Sequence, residues 1–311
     1  GVSFMPHEKL VIARALLQKL RVDRIEVASA RVSEGEKEAV RSITRWASQI
    51  GKIDCVEVLG FVDGTASVDW ISEVGCRCMN LLCKGSRRHC EGQLQKTVEE
   101  HIEDIRRVVA YAKEKGIRVN VYLEDWSNGM KQSPDYVFQL IEGLLDTGIV
   151  RYMLPDTLGV LNPLEMLELM GLMTSRYPDV HFDFHAHNDY DLAVSNVLAA
   201  VQSGVKGVHT CVNGLGERAG NASIASVQAV LKDQLKVYTN IDENRLNEVS
   251  RLVESYSGIA IPPNQPITGD NVFTQVAGVH ADGDNKAGLY QNDLLPERFG
   301  RKREYAFRHF L

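Results

Sequence analysis

Long apolar runs are missing from this chain. None approaches the length that spans a bilayer. The charged, apolar and small-residue blocks of a signal peptide are also absent, so the sequence predicts a soluble, cytoplasmic protein with no membrane partner. Cysteine is scarce, and six in 311 residues do not make a disulfide framework. Cys76, Cys78, Cys83 and Cys90 lack the second paired half that a zinc cluster needs. Positive charge is not in excess either. The net charge is -6 and the one short basic cluster is Arg87-Arg88-His89, which argues against a nucleic-acid partner. Core-forming residues are plentiful: 44% are hydrophobic and 24% charged, which excludes a disordered or fibrous chain and allows a large buried core.

Strand-like and helix-like segments alternate along the chain. Strands are predicted at Arg24 to Ser29, Cys55 to Val62, Cys78 to Cys83, Arg118 to Glu124, Arg151 to Asp156, Val180 to His187 and Val208 to Asn213. Amphipathic helices are predicted between them, among others at Pro6 to Leu20, Thr97 to Lys115, Pro134 to Asp146 and Pro163 to Arg176, with Pro6 and Pro163 where first-turn prolines belong. This order fits a (β/α)8 TIM barrel, α/β in class, better than an open two-winged sheet. The visible strands are one short of closure, so the opening strand is expected upstream of residue 1.

Polar residues share strand faces that can form a working mouth. His181, Asp183, His185 and His187 alternate with Phe182, Phe184 and Ala186, which puts ligands on one face and aromatic rings toward the helices. Asn120, Tyr122 and Glu124 share a face opposite Val119, Val121 and Leu123, and Thr157 closes the next strand at the same level. Barrel active sites lie at such carboxyl ends. Side chains at i and i+2 of a strand point the same way, so His185 and His187 can grip one metal ion. Asn221, at the end of Asn213-Gly-Leu-Gly-Glu-Arg-Ala-Gly-Asn221, can offer an oxygen to complete the set. Within that loop Glu217 and Arg218 are expected to brace each other as an ion pair.

The repeat breaks beyond Asp242. A helix from Glu243 to Tyr256 leads into Ile261-Pro-Pro-Asn-Gln-Pro-Ile-Thr-Gly, too rich in proline and glycine for another unit. A glycine-punctuated stretch from Asn271 to Asp284 follows and carries His280, in the manner of a lid laid over the barrel mouth. The expected division is a catalytic barrel over 1–242 and a small linker or lid subdomain over 243–311.

These motifs carry a family resemblance. His-x-His-Asn-Asp with Asn-Gly-x-Gly-Glu-Arg-x-Gly-Asn resembles the acyl-CoA-condensing branch of the metal-dependent lyase and synthase superfamily, which includes 2-isopropylmalate, homocitrate and citramalate synthases. The likeness runs from Gly1-Val-Ser-Phe to Gln275-Val-Ala-Gly-Val-His-Ala-Asp282. Gly60-Phe-Val-Asp-Gly64, Val121-Tyr-Leu-Glu-Asp-Trp-Ser-Asn-Gly129 and Leu289-Tyr290 look most like bacterial (R)-citramalate synthases. The resemblance implies a divalent metal ion (Zn, Mn, Mg or Co) on His185, His187 and Asn221, with acetyl-CoA as co-substrate. It makes Glu124 a catalytic carboxylate and His280 a histidine that assists proton transfer. It places Thr157 on the keto acid's carboxylate and Leu59, Leu82 and Tyr122 around its alkyl group. A homodimer is implied, because in the family the His280 segment reaches over the neighbouring barrel. The family's first strand supplies an arginine and a metal-binding aspartate, and this chain begins just after them. The regulatory domain of many relatives is absent from these residues.

The implied reaction is a Claisen-type condensation of acetyl-CoA with a small 2-keto acid, then thioester hydrolysis, with pyruvate giving (R)-citramalate. The alternatives are a 2-isopropylmalate synthase acting on 2-ketoisovalerate and, more distantly, a lyase or aldolase of the same superfamily. Leu59, Leu82 and Tyr122 are expected to make the pocket small enough to favour pyruvate.

Overall fold

The computed structural model describes residues 2–306. Gly1, where the family resemblance begins, and residues 307–311, at the end of the expected lid, lie outside the described residues. Seven strands form where the apolar runs predict them: β1 (Ile25–Ser29), β2 (Val56–Phe61), β3 (Cys78–Lys84), β4 (Arg118–Glu124), β5 (Tyr152–Asp156), β6 (Phe182–Ala186) and β7 (Gly207–His209). Each pairs in parallel with the next, in chain order. The sheet curls on itself, since Arg24 at the start of β1 forms an ion pair with Asp183 on β6. Among the described residues no ladder joins β7 back to β1. The architecture is α/β and TIM-barrel-like, a curled parallel sheet wrapped in helices.

Parallel strands covered by helices are buried on both faces and read as near-continuous apolar runs. Val119, Val121 and Leu123 of β4 and Phe182 and Phe184 of β6 are all buried in the main core, as the period-two pattern predicts for the helix-facing side. Two strands stop earlier than their sequence patterns. β6 ends at Ala186, with His187 held by a single antiparallel bridge to Asn221. After β7, Cys211 makes one bridge to Ser223 and Asn213 turns left-handed at φ 59°. The loop's own pairing replaces the ladder there.

Helix starts follow local chemistry. Thr97 and Glu100 form a capping box at Val98–Glu114, and Asn162 and Glu165 form another at Pro163–Arg176. Pro6–Arg14 begins on its proline and widens into a π turn over Ala15–Leu20. The helix predicted from Pro134 ends at Glu142, four residues short of Asp146.

Beyond Asp242, the Leu246–Ser257 helix packs into a second apolar cluster with Leu20, Ile224, Ile267, Phe273 and Phe299. The glycine-punctuated stretch expected as a lid contains a helix over Gly278–Ala287. Buried Asp284 organises it, accepting from the Tyr290 backbone N–H at 2.9 Å and from Gln275 Nε2 at 2.9 Å. That tertiary anchor outweighs the low helix propensity of its glycines. Among the described residues no helix is long and apolar enough to cross a membrane.

Candidate functional site

The interior of the curled sheet is polar in layers. At the amino ends of the strands, Arg24 lies 3.3 Å from Glu57 and is ion-paired with Asp183. Asn80 donates to Glu57 at 3.0 Å, and Asn120 donates to Asn80 at 3.0 Å. Asp183 also faces His181 Nε2 at 2.7 Å and His209 Nε2 at 3.0 Å. Burial alone would raise the Asp183 carboxyl, but the hydrogen bonds of the two histidines and the charge of Arg24 hold it well below the usual carboxylate range. On β1, burial pushes the Glu26 carboxyl up to about 7 against the pull of His209. Glu26 is accessible along the open side of the sheet, where water moderates that push.

One layer further along lie the histidines. Tyr122, buried on β4, brings its hydroxyl within 2.7 Å of His185 Nδ1 and 2.8 Å of His209 Nδ1. The rings of His185 and His187 stand 5.0 Å apart, on the shared face the strand pattern predicts. Burial, reinforced by His209 and His187, holds His185 well below its ordinary pKa, and burial followed by Arg218 lowers His187. Both are therefore neutral imidazoles at physiological pH, the form that ligates metals.

Two buried polar atoms at this level have no hydrogen-bond partner among the described residues: His187 Nδ1 and Asn221 Oδ1. Asn221 spends its Nδ2 on Cys211 Sγ at 3.1 Å, which leaves its oxygen uncommitted. Gly216 permits this arrangement, because a Cβ there would meet the Asn221 side chain at 2.7 Å. Unsatisfied buried donors and acceptors are costly and rare in folded proteins. Two neutral imidazoles with an amide oxygen suit a borderline divalent cation, and these three side chains fit one. Among the described residues no set of three His, Cys, Asp or Glu side chains gathers to hold a metal, so the asparagine oxygen is essential to the fit.

The loop that carries Asn221 is pinned at both ends. The Asn221 N–H donates to the Gly214 carbonyl at 2.9 Å, and Asn188 N–H donates to the Gly220 carbonyl at 2.9 Å. Gly220, at φ 90°, brings its Cα so near the Gly214 carbonyl that a Cβ would lie 2.0 Å from it. Arg218 does not pair with Glu217, the partner its sequence neighbour suggests. It reaches Asp189 with two bonds of 2.8 Å and the Thr157 carbonyl at 2.8 Å. The bidentate geometry of a guanidinium on a carboxylate favours Asp189 over an adjacent side chain.

Thr157 in turn accepts the Asp125 backbone N–H at 2.8 Å, which ties the end of β5 to the residue after Glu124. Asp125 is left-handed at φ 66° and fully buried, accepting from Ser86 Oγ at 2.8 Å and Asn128 Nδ2 at 2.9 Å. Glu124, partly exposed, forms an ion pair with buried Lys84 at the facing end of β3. The backbone of Lys84 is fixed on both sides: its N–H donates to His101 Nε2 at 3.0 Å and its carbonyl accepts the Tyr136 hydroxyl at 2.7 Å.

The residues predicted from sequence are brought together unequally. Tyr122, His185, His187 and Asn221 are linked by the contacts above, Thr157 joins the Asn221 loop through Arg218, and the Glu124 carboxylate pairs with Lys84 instead. Leu59 and Leu82 lie half-buried on neighbouring strands, with Leu82 between Phe61 and Tyr122 in register. The Tyr122 hydroxyl is engaged by the histidines, which leaves its ring beside Leu82. His280 is exposed and stacks on Tyr290 of its own chain at 4.2 Å, without a contact to Glu124. Sequence reading missed Lys84, His209 and Asp189. His209 sat inside a predicted strand, two residues from Cys211 on the same face, and Lys84 extended an apolar strand by one charged residue. Both positions could have been read from period-two alternation alone.

The chain is similar to proteins of known family. The model of the HMGL-like family matches residues 1–253. A homocitrate synthase of Sulfolobus acidocaldarius is 37% identical over 98% of this chain and 64% of its own length. A probable 2-isopropylmalate synthase of Ignicoccus hospitalis is 34% identical over 97% of this chain and 74% of its own. An (R)-citramalate synthase of Methanocaldococcus jannaschii is 35% identical over 97% and 60%. The chain thus spans about three fifths of the length of the citramalate and homocitrate synthases it matches. Among solved structures, the hydroxymethylglutaryl-CoA lyase of Pseudomonas aeruginosa superposes with a TM-score of 0.70 at 20% identity, over 82% of this chain and 87% of that one, a likeness of fold. With the family match covering most of the chain and the His-x-His and Asn221 loop placed together at the strand ends, the chain belongs to the HMGL-like family.

Proposed function

We propose that this chain is the catalytic part of an enzyme that condenses acetyl-CoA with a small 2-keto acid and releases free CoA, with pyruvate as the keto acid and (R)-citramalate as the product. The names of its relatives support a condensing synthase. The observation that carries the reading is the pair of uncommitted buried atoms, His187 Nδ1 and Asn221 Oδ1, beside neutral His185 and within one hydrogen-bonded set with Thr157 and the Glu124 segment.

His185, His187 and Asn221 would hold a divalent cation. Such an ion, when bound, polarises the keto carbonyl and makes its carbon electrophilic. The protein's own groups must do the rest. The methyl carbon of acetyl-CoA needs a positioned base, a role typically worth about a hundred- to ten-thousand-fold in rate. Glu124, held by Lys84, handles the proton of the product hydroxyl in this reading. His280 takes the methyl proton, and in a homodimer it would do so in the neighbouring copy, since within its own chain it stacks on Tyr290. Thr157, already accepting the Asp125 N–H, has its hydroxyl hydrogen free to donate to the keto acid's carboxylate. Leu59, Leu82 and the Tyr122 ring bound the alkyl group. In this reading 1–242 is the catalytic unit, 243–311 the lid, and the enzyme is cytoplasmic.

The first test is thiol release from acetyl-CoA with added manganese or zinc, comparing pyruvate with 2-ketoisovalerate. Preference for pyruvate supports the citramalate reading. Preference for 2-ketoisovalerate replaces it with 2-isopropylmalate synthesis. No release with either keto acid returns the lyase chemistry of the superfamily to the front.

A further inference from the structure

Among the described residues Lys84 is the only buried lysine. Its main chain is held without help from its charge: the N–H donates to His101 Nε2, the carbonyl accepts the Tyr136 hydroxyl, and the next N–H, of Gly85, donates to the Glu124 carbonyl at 2.5 Å. Gly85 allows that approach, since a Cβ there would collide with the Leu123 carbonyl. The ends of β3 and β4 are thus fastened side by side, with Lys84 opposite Glu124 in register. Each lies two residues beyond a wall residue on its own strand face, Lys84 beyond Leu82 and Glu124 beyond Tyr122. The residue after Glu124 is fixed too, because the Asp125 N–H donates to Thr157 Oγ1. Only the side-chain torsions of Glu124 are left to be chosen. The Lys84 ammonium pairs with Glu124 Oε2, and Glu124 Oε1 makes no hydrogen bond among the described residues. The lysine side chain is 9% exposed and the glutamate 27%, so the carboxylate is the member of the pair that reaches the mouth.

We propose that Lys84 is a positioning residue: its ammonium holds Glu124 Oε2 and so presents Oε1 as the oxygen that exchanges a proton with the reacting hydroxyl. This inference rests on the condensing reading given above and deepens it by naming the group that aims Glu124. A buried ion pair is a poor device for stability, because an apolar residue of similar volume often serves the fold as well or better. A methionine would fill the lysine's path without a cation to desolvate, and the backbone contacts that join the strand ends would remain. What the ammonium adds is direction. A partly exposed glutamate without a partner samples several rotamers, and a displacement of about 1 Å at a reacting group can cost about a hundredfold in rate.

The test combines thiol-release kinetics of wild type, Lys84→Met, Glu124→Gln and the double variant with 1H–15N spectra of the lysine ammonium groups. Lys84→Met should lower kcat about 10- to 100-fold and leave KM for pyruvate within about threefold. In the Glu124→Gln background the same change should alter kcat by less than about twofold, because a residue that acts through another has nothing left to aim. A raised KM with kcat unchanged would make Lys84 a grip on the keto acid and overturn the proposal. Equal losses in both backgrounds would overturn it as well, since Lys84 would then act without Glu124. The spectra stand even if Lys84→Met fails to fold: a slowly exchanging ammonium signal, assigned to Lys84 through bonds, should appear in the wild type and vanish in Glu124→Gln. A signal that Glu124→Gln leaves in place removes the pair on which the proposal stands. Should that signal behave as expected while the wild type releases no thiol with either keto acid, the pair holds and the condensing reading is what fails.

Discussion

At the amino ends of the strands, Arg24 pairs with both Glu57 and Asp183, with Asn80, Asn120, His181 and His209 filling in around them. Four residues further along the same strands and on the loop bridged to them, His187 and Asn221 leave buried atoms without partners, and Glu124 pairs with the buried Lys84. Both layers are polar and both sit inside the curled sheet. The difference lies in satisfaction. Charges at the amino ends are spent on each other and can only stabilise or specify the fold, because breaking such a pair strands an uncompensated charge. The uncommitted atoms of the carboxyl ends cost stability in the isolated chain and have value only toward a ligand. The molecule separates structural from functional polarity along one strand axis, as TIM-barrel architectures do between their two faces.

The sharpest way to break that contrast is a pair of substitutions with opposite signatures. Arg24→Met removes the cation from Asp183 and Glu57. Asp183 keeps its two histidines, but Glu57 keeps only Asn80, so stability should fall by about 3 kcal/mol, read as a lower urea midpoint. His187→Ala, in the open layer, should leave the midpoint within roughly 1 kcal/mol, while thiol release from acetyl-CoA drops at least about a hundredfold. If His187→Ala destabilised as much as Arg24→Met, the two layers would not differ in kind.

A second contrast is pH. His101 is buried under the end of β3 as a neutral acceptor for the Lys84 N–H, and burial lowers its pKa to about 4 from an ordinary 6.5. The unfolded chain binds that proton first as pH falls. Stability from this group is therefore complete above pH 6.5 and is lost on descent toward 4, by roughly 2.5 kcal/mol between pH 7 and 4.5. His101→Gln retains a hydrogen-bonding side chain without the titration. Its urea midpoints should fall less steeply with pH than the wild type's, and parallel slopes would show that His101 does not carry the effect.

Much of this organisation was legible in residue order. Strand positions followed from apolar runs, and the shared face of His185 and His187 followed from period two, because burial on one side of a strand enforces that period. Arg218 was misread, since adjacency in sequence says nothing about which carboxylate a folded loop presents, and Asp189 comes from the strand end across the way. The helix of the His280 segment went unread because it is anchored by Asp284 bonds to Gln275 and Tyr290 that no propensity scale contains. Lys84 and His209 were within reach but were passed over. Their meaning depends on partners, Glu124 and Tyr122, that only strand register brings opposite.

The smallest expected effect sharpens the comparison at the mouth. Leu82, half-buried, stands between Phe61 and Tyr122 in register on the wall of the proposed pocket, where packing is partial and a lost side chain is tolerated better than in the closed core. Leu82→Ala should cost little stability and enlarge the space beside the keto acid's alkyl group. Each methyl-sized change in such a wall is worth about 1 to 3 kcal/mol of discrimination, so the ratio of kcat/KM for pyruvate over 2-ketoisovalerate should fall about tenfold or more. The change should be carried mainly by a better reaction with the larger acid, because pyruvate loses little when a wall it barely reaches recedes. A ratio that does not move would take Leu82 out of the pocket and leave selectivity to Phe61 or to the Tyr122 ring, whose hydroxyl His185 and His209 hold independently of the wall.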